Sequence, residues 1–192
     1  DTTTTNEEED LAKAKKILAD GGWKPNADSG ILEKKNGSDT LSLSFSISTG
    51  DAPELKEVAD KLATSWAKLG AKATVLLFET GELNQSVIRP RNFDALLFGE
   101  MVGKDADLYP FWHSSQRNDP GLNIALYANS KADKFLESAR SAEDQAAVEE
   151  NYKGFVAEIT KDVPAIFLYT PSFLYIVPEK VHSIALGSLL AS

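Results

Sequence analysis

Residues 53–78, PELKEVADKLATSWAKLGAKATVLLF, constrain the fold more than any other stretch. Pro53 suits a first helical position, and Leu55, Val58, Ala59, Leu62, Trp66 and Leu69 recur at helical spacing before Gly70 stops the turn. The run ATVLLF (73–78) that follows has no polar face. A strand apolar on both sides needs cover on both sides, the condition of a strand inside an α/β layer. A short helix near 81–88 and a second such strand, FDALLFG (93–99), come next. Strand, helix, strand, helix, strand in this order implies an α/β sheet.

The flanking segments extend the pattern. A helix is expected over 7–20, where Asn6 and Glu9 make a capping-box-like start, Leu11, Ala14, Ile17 and Leu18 form a stripe, and Gly21-Gly22 end it. ILEKK (31–35) and LSLSFSIS (41–48) read as paired strands joined by NGSDT. In the second, Leu41, Leu43, Phe45 and Ile47 alternate with serines, the period of a half-buried strand. Downstream, Ser130 with Asp133 caps a helix to about 140. A longer helix covers 143–161, with Val148, Tyr152, Phe155, Val156 and Ile159 facing inward, and Pro164 breaks it. AIFLYT and FLYIV, linked through Pro171-Ser172, read as two closing strands. With no repeat or linker inside 10–185, the expectation is one α/β lobe there, flanked by tails at 1–9 and 186–192.

Composition narrows the partners. The chain has 192 residues and a net charge of −9, which disfavours nucleic acid and anionic lipid, since both are bound by clustered Lys and Arg. The absence of cysteine excludes disulfides, thiolate nucleophiles and cysteine metal sites. No apolar run approaches the roughly 20 residues of a membrane span. The polar start, DTTTTNEEED, is not a signal peptide.

The stretch GKDADLYPFWHSSQ (103–116) gathers Tyr109, Phe111 and Trp112 beside His113. It leaves the carboxyl end of the 93–99 strand, where open α/β sheets place ligands, and aromatic rings with a polar edge suit such sites. The competing assignment is a hydrophobic plug that anchors a long loop. FGEMVGKD is no phosphate loop: Gly99 and Gly103 are three residues apart and Asp105 follows Lys104. His113 beside Ser114 suggests nucleophilic catalysis, yet neighbours in sequence seldom reach triad geometry and no G-x-S-x-G elbow is present. Two histidines, His113 and His182, supply no transition-metal ligand set, so neither metal nor cofactor is expected.

Several segments in order resemble the extracellular solute-binding proteins of family 5, the peptide and nickel receptors of ABC importers. They are AKKILADGGW (14–23), GILEKKNGSDTLSLSFSIS (30–48), VADKLATSWAKLGAKATVLLFE (58–79), RPRNFDALLFGE (89–100), DADLYPFWHSSQ (105–116), LYANSKADKFLESAR (126–140) and DVPAIFLYTPSFLYIVPEKVHSI (162–184). The resemblance implies a class II periplasmic-binding-protein-like lobe, with a mixed sheet flanked by helices. It implies the C-terminal one of two lobes, with the first lobe missing and a signal peptide upstream. The implied function is non-catalytic capture of a peptide or similar solute by hinge closure, in an extracytoplasmic, monomeric receptor that docks on an ABC permease. Glu100, Asp105, Tyr109, Trp112 and His113 are the implied ligand-binding residues, whereas Trp23 and Trp66 are expected in the scaffold. Peptide-binding relatives carry a Trp and then an amine-pairing Asp in this loop; here Glu100 stands at the Trp position, and Val102 or Gly103 at that of the Asp. Glu100 or Asp105 is then the substitute anion. Alternatives from other classes are a hydrolase using His113 and Ser114, and a family relative retooled as a sensor or interaction domain.

Overall fold

Four acidic residues, Glu7 to Asp10, form the first turn of helix α1 (Glu7–Asp20), where they complement the partial positive charge of a helix N-terminus. Asn6 caps this helix by accepting from the Glu8 amide at 3.3 Å. The helix therefore begins inside the segment assigned to a tail. The structure is a computed structural model that describes residues 6–103, 107–171, 176 and 178. The chain divides into two compact units, Asp1–Gly99 and Glu100–Ser192.

In the first unit the expected 41–48 strand belongs to two sheets. Strands β1 (Lys24–Pro25), β2 (Leu32–Asn36) and β3 (Asp39–Ser42) form an antiparallel sheet, with Lys34 opposite Leu41. Strand β4 (Ser44–Gly50) instead pairs in parallel with β5 (Lys72–Phe78), Ile47 opposite Val75. Leu43 is the joint: its N–H donates to Leu32 O at 2.7 Å, and its carbonyl accepts from Lys72 N at 2.9 Å. An alternating pattern continues unbroken through such a change of partner, so the sequence alone does not mark it.

The second sheet runs β5-β4-β6, all parallel. Its central strand buries Ile47, Ser48 and Thr49, so the serines of β4 do not all face water. Helix α2 (Pro53–Ala67) lies on this sheet with Trp66 tilted against Phe45, ring centroids 5.3 Å apart. Strand β6 is only Ala95–Leu96, shorter than the expected 93–99. Asp94 Oδ2 accepts both the amide and the hydroxyl of Ser46, each at 2.8 Å, so a side chain takes a ladder position there. Between β5 and β6 the chain forms one turn of helix α3 (Thr80–Glu82), capped by Glu79. It then widens into a π-helical turn (Leu83–Ile88) that buries Leu83 and Val87.

The second unit is helical among its described residues. Helix α4 (Tyr109–Trp112), a 3₁₀ turn (Ser114–Gln116), α5 (Ser130–Ser141) and α6 (Gln145–Asp162) enclose a core of Trp112, Tyr127, Ala132, Leu136, Phe155 and Ile159. Asn129, one residue before the expected cap, accepts from the Lys131 and Ala132 amides and starts α5. Asp144 caps α6 through the Ala147 amide at 2.8 Å. Phe155 and Ile159 are buried, Val148 and Tyr152 half-buried, but Val156 faces out. The expected AIFLYT strand has no ladder partner among the described residues; Ala165 packs on the core and the Phe167 ring lies 5.8 Å from Trp112. Except for Ile176, the FLYIV strand lies outside the described residues, as does the 186–192 tail.

Candidate functional site

The segment after β6 is open to solvent. Phe98 is 47% exposed, Met101 is 88% exposed, and Glu100 is exposed with them. Glu100 nevertheless has enough protein around its carboxyl to lose bulk water, and this burial pushes its pKa up from 4.5 to about 7. Desolvation disfavours the charged form, so the neutral acid gains population. Asp105, the other expected anion, lies outside the described residues.

Beyond it the loop turns inward. Asp107 Oδ1 accepts from the Tyr109 amide at 3.1 Å, fixing the start of α4. Its other oxygen receives the Arg140 guanidinium, with Nε at 3.1 Å and an NH2 nitrogen at 2.9 Å. Arg140 also lies 4.3 Å over the Tyr109 ring. The His113 imidazole stacks on the same ring at 4.1 Å, 13° from parallel. Two planar groups at those distances cannot share one face, so Tyr109 is sandwiched. Both its π-faces are spent inside the protein, leaving the hydroxyl edge, 3.4 Å from Ser115 Oγ.

Trp112 points the other way. It is 8% exposed and packs among Tyr127, Leu136 and Phe155, with a ring-centroid distance of 6.2 Å to Phe155. This environment corresponds to the plug alternative, and it gives Trp112 a core role. His113 is 7% exposed. Its Nδ1 accepts from the Ser115 amide at 3.1 Å and lies 2.8 Å from Ser115 Oγ; its Nε2 faces Glu137 Oε1 at 3.3 Å and Asp133 Oδ1 at 3.9 Å. Ser114, the expected partner in the hydrolase alternative, is engaged elsewhere: its hydroxyl donates to Asp133 Oδ2 at 2.6 Å and its amide to Oδ1 at 2.9 Å. No group of three His, Asp or Glu suited to a metal occurs among the described residues.

Asn123 organises this loop, and nothing in the sequence pattern points to it. It is fully buried; its Nδ2 lies 3.1 Å from Trp112 O, 3.1 Å from His113 O and 2.9 Å from Tyr127 O, while Oδ1 accepts from the Tyr127 amide at 3.1 Å. One amide thus satisfies carbonyls on both sides of the loop, a task that leaves no periodic trace in sequence. Tyr127 in turn donates its hydroxyl to Asp162 at 2.8 Å. Burial first, and the Asp162 hydrogen bond second, push the Tyr127 pKa up to about 12.

Comparison with known proteins adds to this geometry. A family profile described as bacterial extracellular solute-binding proteins, family 5 Middle, matches residues 1–119. The oligopeptide-binding protein AppA of Bacillus subtilis is 32% identical over 172 residues, 88% of this chain and 31% of that protein. Protein XP55 of Streptomyces lividans is 29% identical over 174 residues, covering 89% of this chain and 30% of the relative. The chain therefore spans about a third of the length of these relatives. Among solved structures, AppA of B. subtilis in complex with a nonapeptide superposes with a TM-score of 0.72 at 31% identity, over 80% of this chain and 30% of that one. NikZ of Campylobacter jejuni in complex with Ni(L-His) gives 0.68 at 26%, over the same shares. The α/β fold is that of the periplasmic oligopeptide-binding proteins, and the family is one of non-catalytic, extracytoplasmic solute-binding proteins. The chain belongs to the bacterial extracellular solute-binding proteins of family 5.

Proposed function

We propose that this chain is one lobe of a two-lobe receptor that captures oligopeptides for an ABC importer. The observation that carries this is the joint match, in sequence and in fold, to an oligopeptide-binding protein whose structure holds a nonapeptide. Capture needs no bond making. Ligand contacts to both lobes shift an open–closed equilibrium by their difference in affinity for the two states, and the closed form docks on the permease. The receptor works outside the cytoplasm, after export under a signal peptide encoded upstream.

Within this lobe, the open segment after β6 faces the ligand. Glu100 is the anion offered to a cationic group, with Met101 beside it as apolar contact; Asp105 is the alternative anion. Tyr109, Trp112 and His113 stand behind that wall: their faces are occupied by Arg140, by the core and by α5 carboxylates, so they hold its shape rather than stack on ligand.

Uptake tests the assignment. A strain lacking the gene should lose accumulation of a labelled oligopeptide and regain it with the full-length gene. Unchanged oligopeptide uptake, together with lost uptake of a nickel–histidine chelate, would assign the receptor to the other ligand class represented among its structural relatives.

A further inference from the structure

The surroundings of His113 determine which of its nitrogens carries the proton. A backbone amide is always a donor, so the Ser115 N–H at 3.1 Å requires a lone pair on Nδ1. The neutral ring therefore carries its hydrogen on Nε2, aimed at Glu137 Oε1 at 3.3 Å, with Asp133 Oδ1 at 3.9 Å. In this form Nδ1 caps the Ser114–Gln116 turn, whose first residue follows His113 directly. A second proton can go only to Nδ1. There it meets the Ser115 amide, donor against donor, and that hydrogen bond cannot survive.

Groups from two helices face the ring. Asp133 and Glu137 approach from α5, and Tyr109 covers one ring face from α4. Arg140, also on α5, is separated from the imidazole by the Tyr109 ring and paired with Asp107. Ser115 Oγ, 2.8 Å from Nδ1 and already accepting from Gln116 Nε2 at 3.0 Å, is placed to accept the new N–H. Protonation exchanges a backbone pin for a side-chain one.

We propose that His113 is a protonation-sensitive cap, whose neutral ring pins the Ser115 amide and whose imidazolium releases it, loosening the Ser114–Gln116 turn. The device depends only on this cluster and holds whatever solute the receptor carries.

Nitrogen-15 spectra of the chain, with amide hydrogen exchange recorded at about pH 8 and about pH 5, span the range in which imidazoles gain a proton. The His113→Asn spectrum separates His113 from His182. The expected result is an Nε2–H tautomer at the higher pH. On protonation, the protection factor of the Ser115 amide should fall about tenfold, the loss of one net hydrogen bond. His113→Asn keeps a capping oxygen without the titration, so its Ser115 amide should stay protected at both values. An Nδ1–H tautomer in the wild type, or Ser115 protection that is constant through the His113 titration, overturns the proposal. So does an equal loss of protection in His113→Asn. Because the tautomer is read on the wild-type chain, the proposal remains open to refutation even if the variant does not fold.

Discussion

The Tyr127 hydroxyl donates to Asp162 Oδ2 across 2.8 Å, tying the loop before α5 to the last residue of α6. Asn129 adds its Nδ2 to the same oxygen at 2.7 Å, so the cap of α5 and the end of α6 share one acceptor. These two bonds, Asn129 first, hold the Asp162 carboxyl below its ordinary pKa, while Tyr127 is raised to about 12. A raised phenol pKa means that the fold prefers the neutral ring, so this contribution to stability is intact below about pH 10 and is lost as pH rises through about 12. Absorbance titration should show one tyrosine ionising near that value. In Asp162→Asn it should move part of the way back toward the ordinary phenol value, and only part, because burial is the larger cause.

Trp112→Ala should destabilise the fold by about 3–5 kcal/mol, as for a large ring removed from a core. Trp23 is half-buried, and its replacement by Ala should cost clearly less. Urea midpoints of the two variants make the comparison. A Trp112→Ala variant of wild-type stability would mean that the ring faces a cleft after all.

Gly154 on α6 is a close-approach position. A Cβ built there would sit 2.5 Å from two atoms of the Phe135 ring on α5. Glycine inside a helix ordinarily gains about 0.5–1 kcal/mol when replaced by alanine. Here the sign should reverse, with Gly154→Ala losing about 1–3 kcal/mol to overpacking. Thermal unfolding of Gly154→Ala, alone and with Phe135→Leu to relieve the clash, checks both the sign and its cause.

Burial that raises the Glu100 pKa to about 7 also sets a pH dependence. The carboxylate is the minor form below that value, so its attraction for a cationic ligand group should weaken as pH falls through it. In the full-length receptor, affinity for a peptide with a free amino group should drop between about pH 8 and 6, the side of Glu100 ionisation where charge is lost. Glu100→Gln should bind weakly at both values and flatten the profile. A slope that persists in Glu100→Gln would remove Glu100 from the site.

Much of this architecture is legible in the residues. The 53–78 segment produces a helix and a strand close to their expected bounds, but β5 is not covered on both faces as its apolar run implies: Leu76 and Leu77 are 40% and 41% exposed. The change of sheet at Leu43 is hidden because alternation is the same in both sheets. The shortness of β6 is hidden because Asp94 replaces a backbone acceptor with a side chain. In the candidate site, the sequence locates the loop but not the direction of its rings. Which way Tyr109 and Trp112 turn depends on Arg140 and Asn123, each more than ten residues away.

The central claim is that this chain is half of a peptide-binding cleft, and calorimetry with an oligopeptide tests it most directly. Two-lobed capture buries ligand between two walls. Without the second wall its share of the binding energy is missing, and every 1.4 kcal/mol of that share is worth about tenfold in affinity. The full-length receptor should bind the peptide at submicromolar concentration, while this chain alone shows no heat of binding in the same range. Equal submicromolar affinity in both, or none in the full-length protein, would contradict the account.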